Sequence, residues 1–306
     1  MTRTPSLLAG AAALAVLLVA CGDDAEPVVS TASTESAPSS VADSGPEQQD
    51  PTSIVSLSPT ATEMLFAIGA GDQVVAADSY STFPAEAPTT ELSAYEPNLE
   101  AIAGFDPDLV VLAAGGDIED QLAEVGIDTL VLDAAVTIDD TYAQIEQLGA
   151  LTGHDADAAQ VVADMQHDID EIVASVPATA EPLTYYHELD DTFYSVTSQT
   201  FIGNLYGLLG LENIADPVDD GSAFGYPQLS AEYIIDADPD LIFLADTKCC
   251  GQTAASVGDR PGWDTLTAVA RGGVVELDDD VASRWGPRVV DLLRTVASAV
   301  AATPAS

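Results

Sequence analysis

The sequence predicts an α/β fold of two similar lobes, each a mostly parallel sheet flanked by helices, joined by one long backbone helix. Three observations predict it: an internal repeat, an alternation of strand-like and helix-like segments, and an amphipathic stretch midway along the chain. The chain has 306 residues. A single hydrophobic core stops growing near about 250–300 residues, which also favours two domains.

The internal repeat aligns residues 100–113 with residues 232–245 in unbroken register, and eight of the 14 positions are identical. In each copy a polar residue, Asn98 or Ser230, precedes a short helix as its N-cap, and a proline then ends that helix. A continuous apolar run follows, which is typical of a strand buried on both faces of a parallel sheet. Two copies of one helix–strand unit therefore predict two similar lobes.

The first lobe alternates strands and helices throughout. Strands are predicted at residues 54–57, 74–77 and 127–132, and helices at residues 61–68, 118–125 and 138–151. Thr60 and Glu63 have the spacing of a capping box for the first of these helices, and Gly69 closes it. This alternation indicates parallel pairing of the strands.

The connection between the lobes is predicted to be a single helix. Residues 155–176 place their apolar side chains along one helical face, and a helix of this length spans roughly 33 Å. Pro177 ends it. The predicted domain organisation begins with a signal peptide (1–20) and a tether that starts with a lipidated cysteine (21–50). A first lobe (51–153), a linking helix (154–176) and a second lobe (177–306) follow.

The N-terminus has the features of an export signal. Arg3 precedes a 14-residue apolar run, shorter than the about 20 residues that span a bilayer. The small residues before Cys21 form a lipobox, which predicts cleavage before Cys21 and its diacylation, a firm membrane anchor. Residues 22–50 lack aromatic side chains and contain three prolines and seven acids, so we expect a disordered tether. The predicted location is the outer face of the cytoplasmic membrane, at the cell surface or in the periplasm.

The charge is extreme, with 51 acidic against 7 basic residues and a net charge of −44. Between Arg3 and Lys248 there is no Lys or Arg. A nucleic-acid-binding protein needs a basic surface, so this class is excluded. The acidity indicates either a saline habitat, where screening shortens self-repulsion, or a bias of the whole lineage, and both remain open.

The sequence contains no recognisable motif of an enzyme active site. There is no Ser-His-Asp-like motif, no phosphate-binding glycine loop and no metal-hydrolase signature. The three histidines have no metal-ligand spacing. We therefore predict no catalytic residue, no metal site and no resident cofactor. His187 ends a predicted strand and is interpreted as a hydrogen-bonded residue at the rim of a cleft.

Cys249 and Cys250 are adjacent and follow a predicted strand at residues 241–245. They are expected on a loop at the carboxyl end of that strand, where α/β sheets bind ligands. Adjacent Cα atoms lie about 3.8 Å apart, closer than the about 4.4–6.8 Å of ordinary disulfides, yet exported thiols tend to oxidise. We favour a strained disulfide that lines a pocket. Two free thiols or a soft-metal site are the alternatives.

Several short motifs, in this order and spacing, carry a family resemblance. They are Val-Ser-Leu-Ser-Pro at 55–59 with Thr62 and Glu63, Tyr-Ser-Thr-Phe-Pro at 80–84, Asn-Leu-Glu at 98–100, Tyr-Pro-Gln-Leu-Ser at 226–230 with Glu232, and Arg284 with Gly-Pro-Arg at 286–288. With them, nearly all of residues 53–300 resembles the helical-backbone class of ABC-transporter substrate-binding lipoproteins for vitamin B12, ferric siderophores and haem. The resemblance is closest to the vitamin B12-binding members.

The resemblance implies a ligand cleft between the lobes lined by four tyrosines. Tyr80 matches an aromatic residue that packs against the corrin ring. Tyr95 and Tyr226 stand where vitamin B12 binders usually have tryptophan, and Tyr194 falls at another aromatic cleft position. Flat aromatic side chains supply large contact area at low entropic cost. Because the phenol of tyrosine also ligates iron, a ferric siderophore or haem stays open beside a corrinoid.

The resemblance also implies polar contacts and a docking surface. Asp280 and Arg284 match residues on the opposite rim that meet amide side chains of the ligand; for Arg284, a surface ion pair with the abundant acids is the alternative. Glu100 and Glu232, equivalent in the repeat, match acids that dock into arginine pockets of the permease. The expected partners are therefore a small-molecule ligand, an ABC permease and its ATPase, with a monomeric binding protein. The alternatives are a haem importer and an extracellular sensor that presents its ligand to a receptor.

Overall fold

The computed structural model describes residues 50–177 and 181–303. Cys21, the predicted signal peptide and nearly all of the predicted tether lie outside the described residues. Within the described part of the chain, no helix combines the length and apolarity needed to cross a membrane.

The first lobe is a four-stranded parallel sheet with strand order β2-β1-β3-β4. Its elements are β1 (Ile54–Leu57), α1 (Pro59–Ala67), β2 (Val74–Ala77), α2 (Leu99–Ala103), β3 (Leu109–Leu112), α3 (Asp117–Glu124), β4 (Asp128–Val131) and α4 (Ile138–Thr152). A single turn of 3₁₀-helix, Ala70–Gln73, precedes β2. The predicted parallel sheet of this lobe is confirmed.

The second lobe repeats this architecture, with strand order β6-β5-β7-β8 and all pairings parallel. The connecting helix and the elements of this lobe are α5 (Asp155–Ser175), β5 (Thr184–Glu188), α6 (Phe201–Leu208), β6 (Glu212–Asn213), α7 (Ala231–Ala237), β7 (Leu241–Leu244), α8 (Ala254–Gly258), α9 (Thr267–Arg271), β8 (Val274–Glu276), α10 (Asp279–Ala282) and α11 (Val289–Ala302). Two parallel-sheet lobes flanked by helices are therefore confirmed.

The sequence repeat is also a repeat of backbone structure. Asp106 and Asp238, equivalent in the repeat, both adopt left-handed backbone angles, with φ of 51° and 44°. Two residues later, Asp108 accepts hydrogen bonds from the backbone N and Oγ1 of Thr52 at 2.9 and 3.0 Å. Asp240 accepts the same two bonds from Thr184 at 3.0 and 3.2 Å. Each aspartate thus ties the start of β3 or β7 to the strand beside it.

One hydrophobic core connects the two lobes. It contains side chains of both sheets, such as Val111 and Phe243, together with apolar faces of α4, α5, α6 and α11. The opposite face of each sheet is buried in a separate outer core, so the central strands are covered on both faces. Since the shared core runs continuously through α5, this helix joins the lobes as a packed element and not as a loose tether.

Ile169 lies in that shared core, on the buried face of α5, and is 6% exposed. We expect Ile169→Ala to lower the free energy of unfolding by about 2–4 kcal/mol, because it removes buried methyl groups and leaves a cavity. Asp170→Ala, on the exposed face of the same helix, should change it by no more than about 0.5 kcal/mol. Urea denaturation of both variants measures the difference; equal, small effects would show that α5 is not packed as described.

Two predictions about polar residues are wrong. α1 begins at Pro59 with Ser58 as N-cap, whose Oγ accepts from the backbone N of Ala61 at 3.2 Å, so Thr60 and Glu63 form no capping box. His187 is fully buried, so it is not a rim residue. Its Nδ1 lies 3.1 Å from the hydroxyl of Tyr206, and burial lowers its pKa to about 3, which keeps it neutral.

Candidate functional site

Segments that follow the strands of the two lobes are in contact at Arg284. This arginine follows β8 and α10 of the second lobe, but its Nη1 donates to Oε1 of Glu63 on α1 at 2.7 Å. Its Nη2 donates to the backbone carbonyl of Tyr80, just beyond β2, at 2.9 Å and to Oδ1 of Asp280 at 2.9 Å. Only 9% of the Arg284 side chain is exposed. Arg284 thus forms ion pairs with both Glu63 and Asp280, but it is largely buried and not the surface ion pair of the alternative interpretation.

A second arginine completes this contact between the lobes. Arg288 donates from Nε to Oε2 of Glu63 at 2.9 Å, and its guanidinium lies 4.2 Å from the ring centroid of Phe83. The backbone carbonyl of Trp285 accepts from Thr141 on α4 at 2.9 Å. The segment 284–288 is therefore bound to the first lobe along its length. Glu63 carries the compensating charge for both arginines.

The predicted aromatic residues of the first lobe lie side by side. Tyr80 and Tyr95 are 58% and 83% exposed, and their rings meet edge to face with centroids 5.9 Å apart. Asp78 shapes the loop by accepting from the backbone N of Tyr80 and of Ser81 at 2.8 and 2.9 Å. Tyr95 also borders an open cavity of about 520 Å³ at the carboxyl ends of β1 and β3. These two rings present an apolar surface to solvent.

Tyr194 and Tyr226 of the second lobe are held on two adjoining loop segments. The backbone N of Ser195 donates to the carbonyl of Pro227 at 2.9 Å, and that of Thr197 donates to the carbonyl of Gly225 at 2.8 Å. This pairing brings the two tyrosines, 42% and 45% exposed, onto the same loop pair. The structure thus gathers the four tyrosines as one exposed pair on each lobe.

Phe224 was not identified from the sequence. It is 90% exposed, two residues before Tyr226, and adopts a left-handed backbone with φ of 51°. A bulky residue in this conformation is strained by about 1–3 kcal/mol, and such strain clusters at binding sites. The only sequence signal is an isolated phenylalanine in a segment rich in Asp, Gly and Ser. Its place beside Tyr226 makes it a further candidate for ligand contact.

A buried cluster of charges lies behind the second-lobe edge. Arg260 forms a bidentate ion pair with Glu188, with both N–O distances 2.6 Å, and its guanidinium lies 4.6 Å from the ring centroid of Trp263. Asp246 is fully buried beside Glu188, and neither of its carboxyl oxygens accepts a hydrogen bond within the described region. Burial, together with the negative charge of Glu188, raises the pKa of Asp246 to about 7.

This raised pKa predicts a pH-dependent stability. The folded state binds a proton at Asp246 more tightly than the unfolded state does, and this difference stabilises the fold. The stabilisation of the folded state is complete below the ordinary pKa of 3.8 and is lost as the pH rises through about 7. Asp246→Asn stays neutral and should gain stability relative to the wild type on the order of 2 kcal/mol at pH 8, and little at pH 4. Urea denaturation at both pH values, with exposed Asp259→Asn as control, measures it. Parallel pH profiles of wild type and Asp246→Asn would contradict this account.

Cys249 and Cys250 lie on the loop after β7, as predicted, but as two free thiols, both exposed. The predicted disulfide is therefore absent from the structure. The physical reason is the short distance between adjacent Cα atoms, which would strain such a bond. The loop is instead held by Asp279, whose carboxylate accepts from the backbone N of Thr247, Lys248 and Cys249, each at 2.9 Å.

Glu100 and Glu232 occupy the second position of α2 and α7, one on each lobe. Both are exposed, and neither forms an ion pair within residues 50–177 and 181–303. They therefore project two free carboxylates from equivalent positions of the two lobes. Over the same described ranges, no group of three or more His, Cys, Asp or Glu side chains is arranged to hold a metal ion.

The structure is that of a bilobal binding protein. It has two parallel-sheet lobes on a shared core, and exposed aromatic residues lie on loops at the carboxyl-terminal edges of both sheets. The model of the periplasmic binding protein family matches residues 54–281. The chain belongs to this family, whose members serve as extracytoplasmic binding components of ABC transporters.

Individual relatives agree with this assignment. An uncharacterised ABC transporter substrate-binding lipoprotein of Bacillus subtilis is 28% identical over 98% of both chains. A cobalamin-binding protein of Halobacterium salinarum is 32% identical over 82% of this chain and 69% of its own length. The crystal structure of the periplasmic vitamin B12 binding protein of Vibrio cholerae has a TM-score of 0.66 at 24% identity, covering 82% and 97% of the two chains. At that identity the structural likeness shows the fold alone.

Proposed function

We propose that this protein captures a corrinoid of the vitamin B12 type between its lobes and delivers it to an ABC importer. The observation that carries the proposal is the set of exposed aromatic side chains, Tyr80 with Tyr95 on one lobe and Tyr194 with Tyr226 on the other. Exposed aromatic rings cost hydration free energy unless a ligand covers them, and a large, flat macrocycle offers an apolar face that can pack against several rings. The cobalamin-binding relative at 32% identity supports the same ligand class.

The role of Arg284 in this proposal differs from a direct ligand contact. Its guanidinium is engaged by Glu63, Asp280 and the Tyr80 carbonyl, so we assign it to positioning the Tyr80 loop. Asp280, more exposed than Arg284, keeps its other carboxyl oxygen for Lys248. The polar rim is thus a network of ion pairs that holds the Tyr80 loop in place.

The proposal includes an anchored, monomeric protein on the outer face of the cytoplasmic membrane. In this proposal Cys21 carries the lipid anchor, and residues 22–50 are the linker that connects the anchor to the lobes. The sequence similarity to a substrate-binding lipoprotein supports this location. Glu100 and Glu232 provide the docking charges for the permease.

Calorimetry tests the ligand class. We expect cobalamin and cobinamide to bind with one ligand per chain, and Phe224→Ala together with Tyr226→Ala to weaken this binding by at least about tenfold through lost aromatic contact. A hydroxamate siderophore or haem that binds more tightly than either corrinoid would replace the corrinoid assignment. Tight binding of a sugar or an amino acid, with no binding of these ligands, would contradict the proposal.

A further inference from the structure

Residues 247–252 form a loop, here called the thiol loop, whose two cysteines have no role in the proposed capture of a corrinoid. It follows β7 at the carboxyl-terminal edge of the second sheet and carries Cys249 and Cys250. Both side chains are exposed, and the two thiols belong to consecutive residues. Two adjacent thiols on one ordered loop offer two sulfur ligands at a single point of the surface.

The backbone of the thiol loop is fixed independently of the thiols. The carboxylate of Asp279 holds its first half, as described above. The carbonyl of Asp246 accepts from the backbone N of Cys250 and of Gln252, each at 3.3 Å. Since neither sulfur is needed to maintain this loop, both are available to a ligand, and their replacement should leave the loop intact.

The surroundings of the thiols carry negative charge that lacks a counter-ion. Lys248, the one cation on the loop, is neutralised by Asp278 at 2.6 Å and Asp280 at 2.9 Å. The carboxylate of Asp279 lies against the backbone of the loop and forms no ion pair among the described residues. A cation bound by the thiols would offset this negative charge.

We propose that Cys249 and Cys250 together bind one soft monovalent cation of the copper(I) class. Thiolate is the ligand that such ions prefer. On binding, each S–H bond breaks, each sulfur forms a bond to the metal, and two protons leave to solvent, with no change of oxidation state. Zinc, which takes three or four protein ligands, is not matched, because no such group occurs among the described residues. This site does not depend on the identity of the ligand between the lobes.

Silver(I), a redox-stable probe of the same class, tests the site in chloride-free buffer. Cys21 is the third cysteine of the chain, so the full-length protein carrying Cys21→Ser retains Cys249 and Cys250 as its only thiols. We expect one silver ion to bind per chain, after which neither thiol reacts with a colorimetric thiol reagent. Binding should also release about two protons, which calorimetry in buffers of different ionisation enthalpy measures. Nonspecific binding to carboxylates would release no thiol protons.

Single replacements distinguish a shared site from two separate thiols. Cys249→Ser and Cys250→Ser, each in the Cys21→Ser background, should weaken silver binding by at least about 100-fold, because one of two metal–sulfur bonds is lost. Circular dichroism and corrinoid binding serve as controls for folding. Two ions per chain, unchanged affinity in either single variant, or binding that persists after both replacements would overturn the proposal.

Discussion

Replacing both Glu100 and Glu232 by alanine is expected to abolish uptake while leaving ligand affinity unchanged. The two carboxylates are exposed at equivalent positions of the two lobes and have no ion-pair partner in the described part of the chain. Their loss removes docking charge and leaves the aromatic residues untouched. Reversal of both charges to arginine should impair uptake further, because like charges across an interface are strongly unfavourable. Uptake of labelled ligand by cells with matched surface levels measures the effect.

The chain offers a matched control for this experiment. Asp139 and Asp157 are also exposed acids in the first turn of a helix, on α4 and α5. Removing them costs the same favourable interaction with the helix dipole, about 0.3–1 kcal/mol each, but no docking charge. The double alanine variant at these positions should transport normally. If the variant lacking Glu100 and Glu232 also transported normally, the docking role would be wrong, and these residues would serve only to interact with the helix dipoles.

Glu63→Ala is expected to lower the free energy of unfolding by about 3–5 kcal/mol, since it leaves Arg284 and Arg288 without their shared counter-ion in a largely buried contact. The Glu63 side chain is 2% exposed and those of the two arginines 9% and 18%. Because Arg284 also holds the Tyr80 carbonyl, we expect weaker ligand binding as well. Urea denaturation followed by tryptophan fluorescence measures the loss.

An exposed ion pair serves as the comparison for Glu63. Asp168 accepts from Nη2 of Arg294 at 2.6 Å, but these side chains are 38% and 51% exposed. Asp168→Ala should therefore cost no more than about 1 kcal/mol. If Glu63→Ala were equally mild, the segment 284–288 would not be held to the first lobe by this ion pair.

Local patterns predicted most of the fold. Residues 54–57 and 74–77 form strands with the predicted bounds, and the connecting helix spans Asp155–Ser175 where 155–176 was expected. Each of these elements is specified by its own apolar periodicity or by a proline, glycine or N-cap at its ends. The repeat added the similarity of the lobes, because both copies carry the same capping residues and apolar strand.

The wrong predictions concern residues whose partners are far away in sequence. Glu63 has the spacing of a capping box, but its partners Arg284 and Arg288 lie 221 and 225 residues away. His187 ends a strand, as a rim residue would, yet Tyr206 of α6 and the rest of the core enclose it. No local pattern encodes such contacts, since they exist only after the lobes and helices have packed.

Native mass spectrometry of the protein purified from its own host tests the central claim most directly. The account predicts one bound corrinoid per chain, released by denaturation and identified by its mass, and absent from a variant in which Tyr80, Tyr95, Tyr194 and Tyr226 are all replaced by alanine. A chain that carries a sugar, an amino acid or another small polar solute in place of a corrinoid would contradict it.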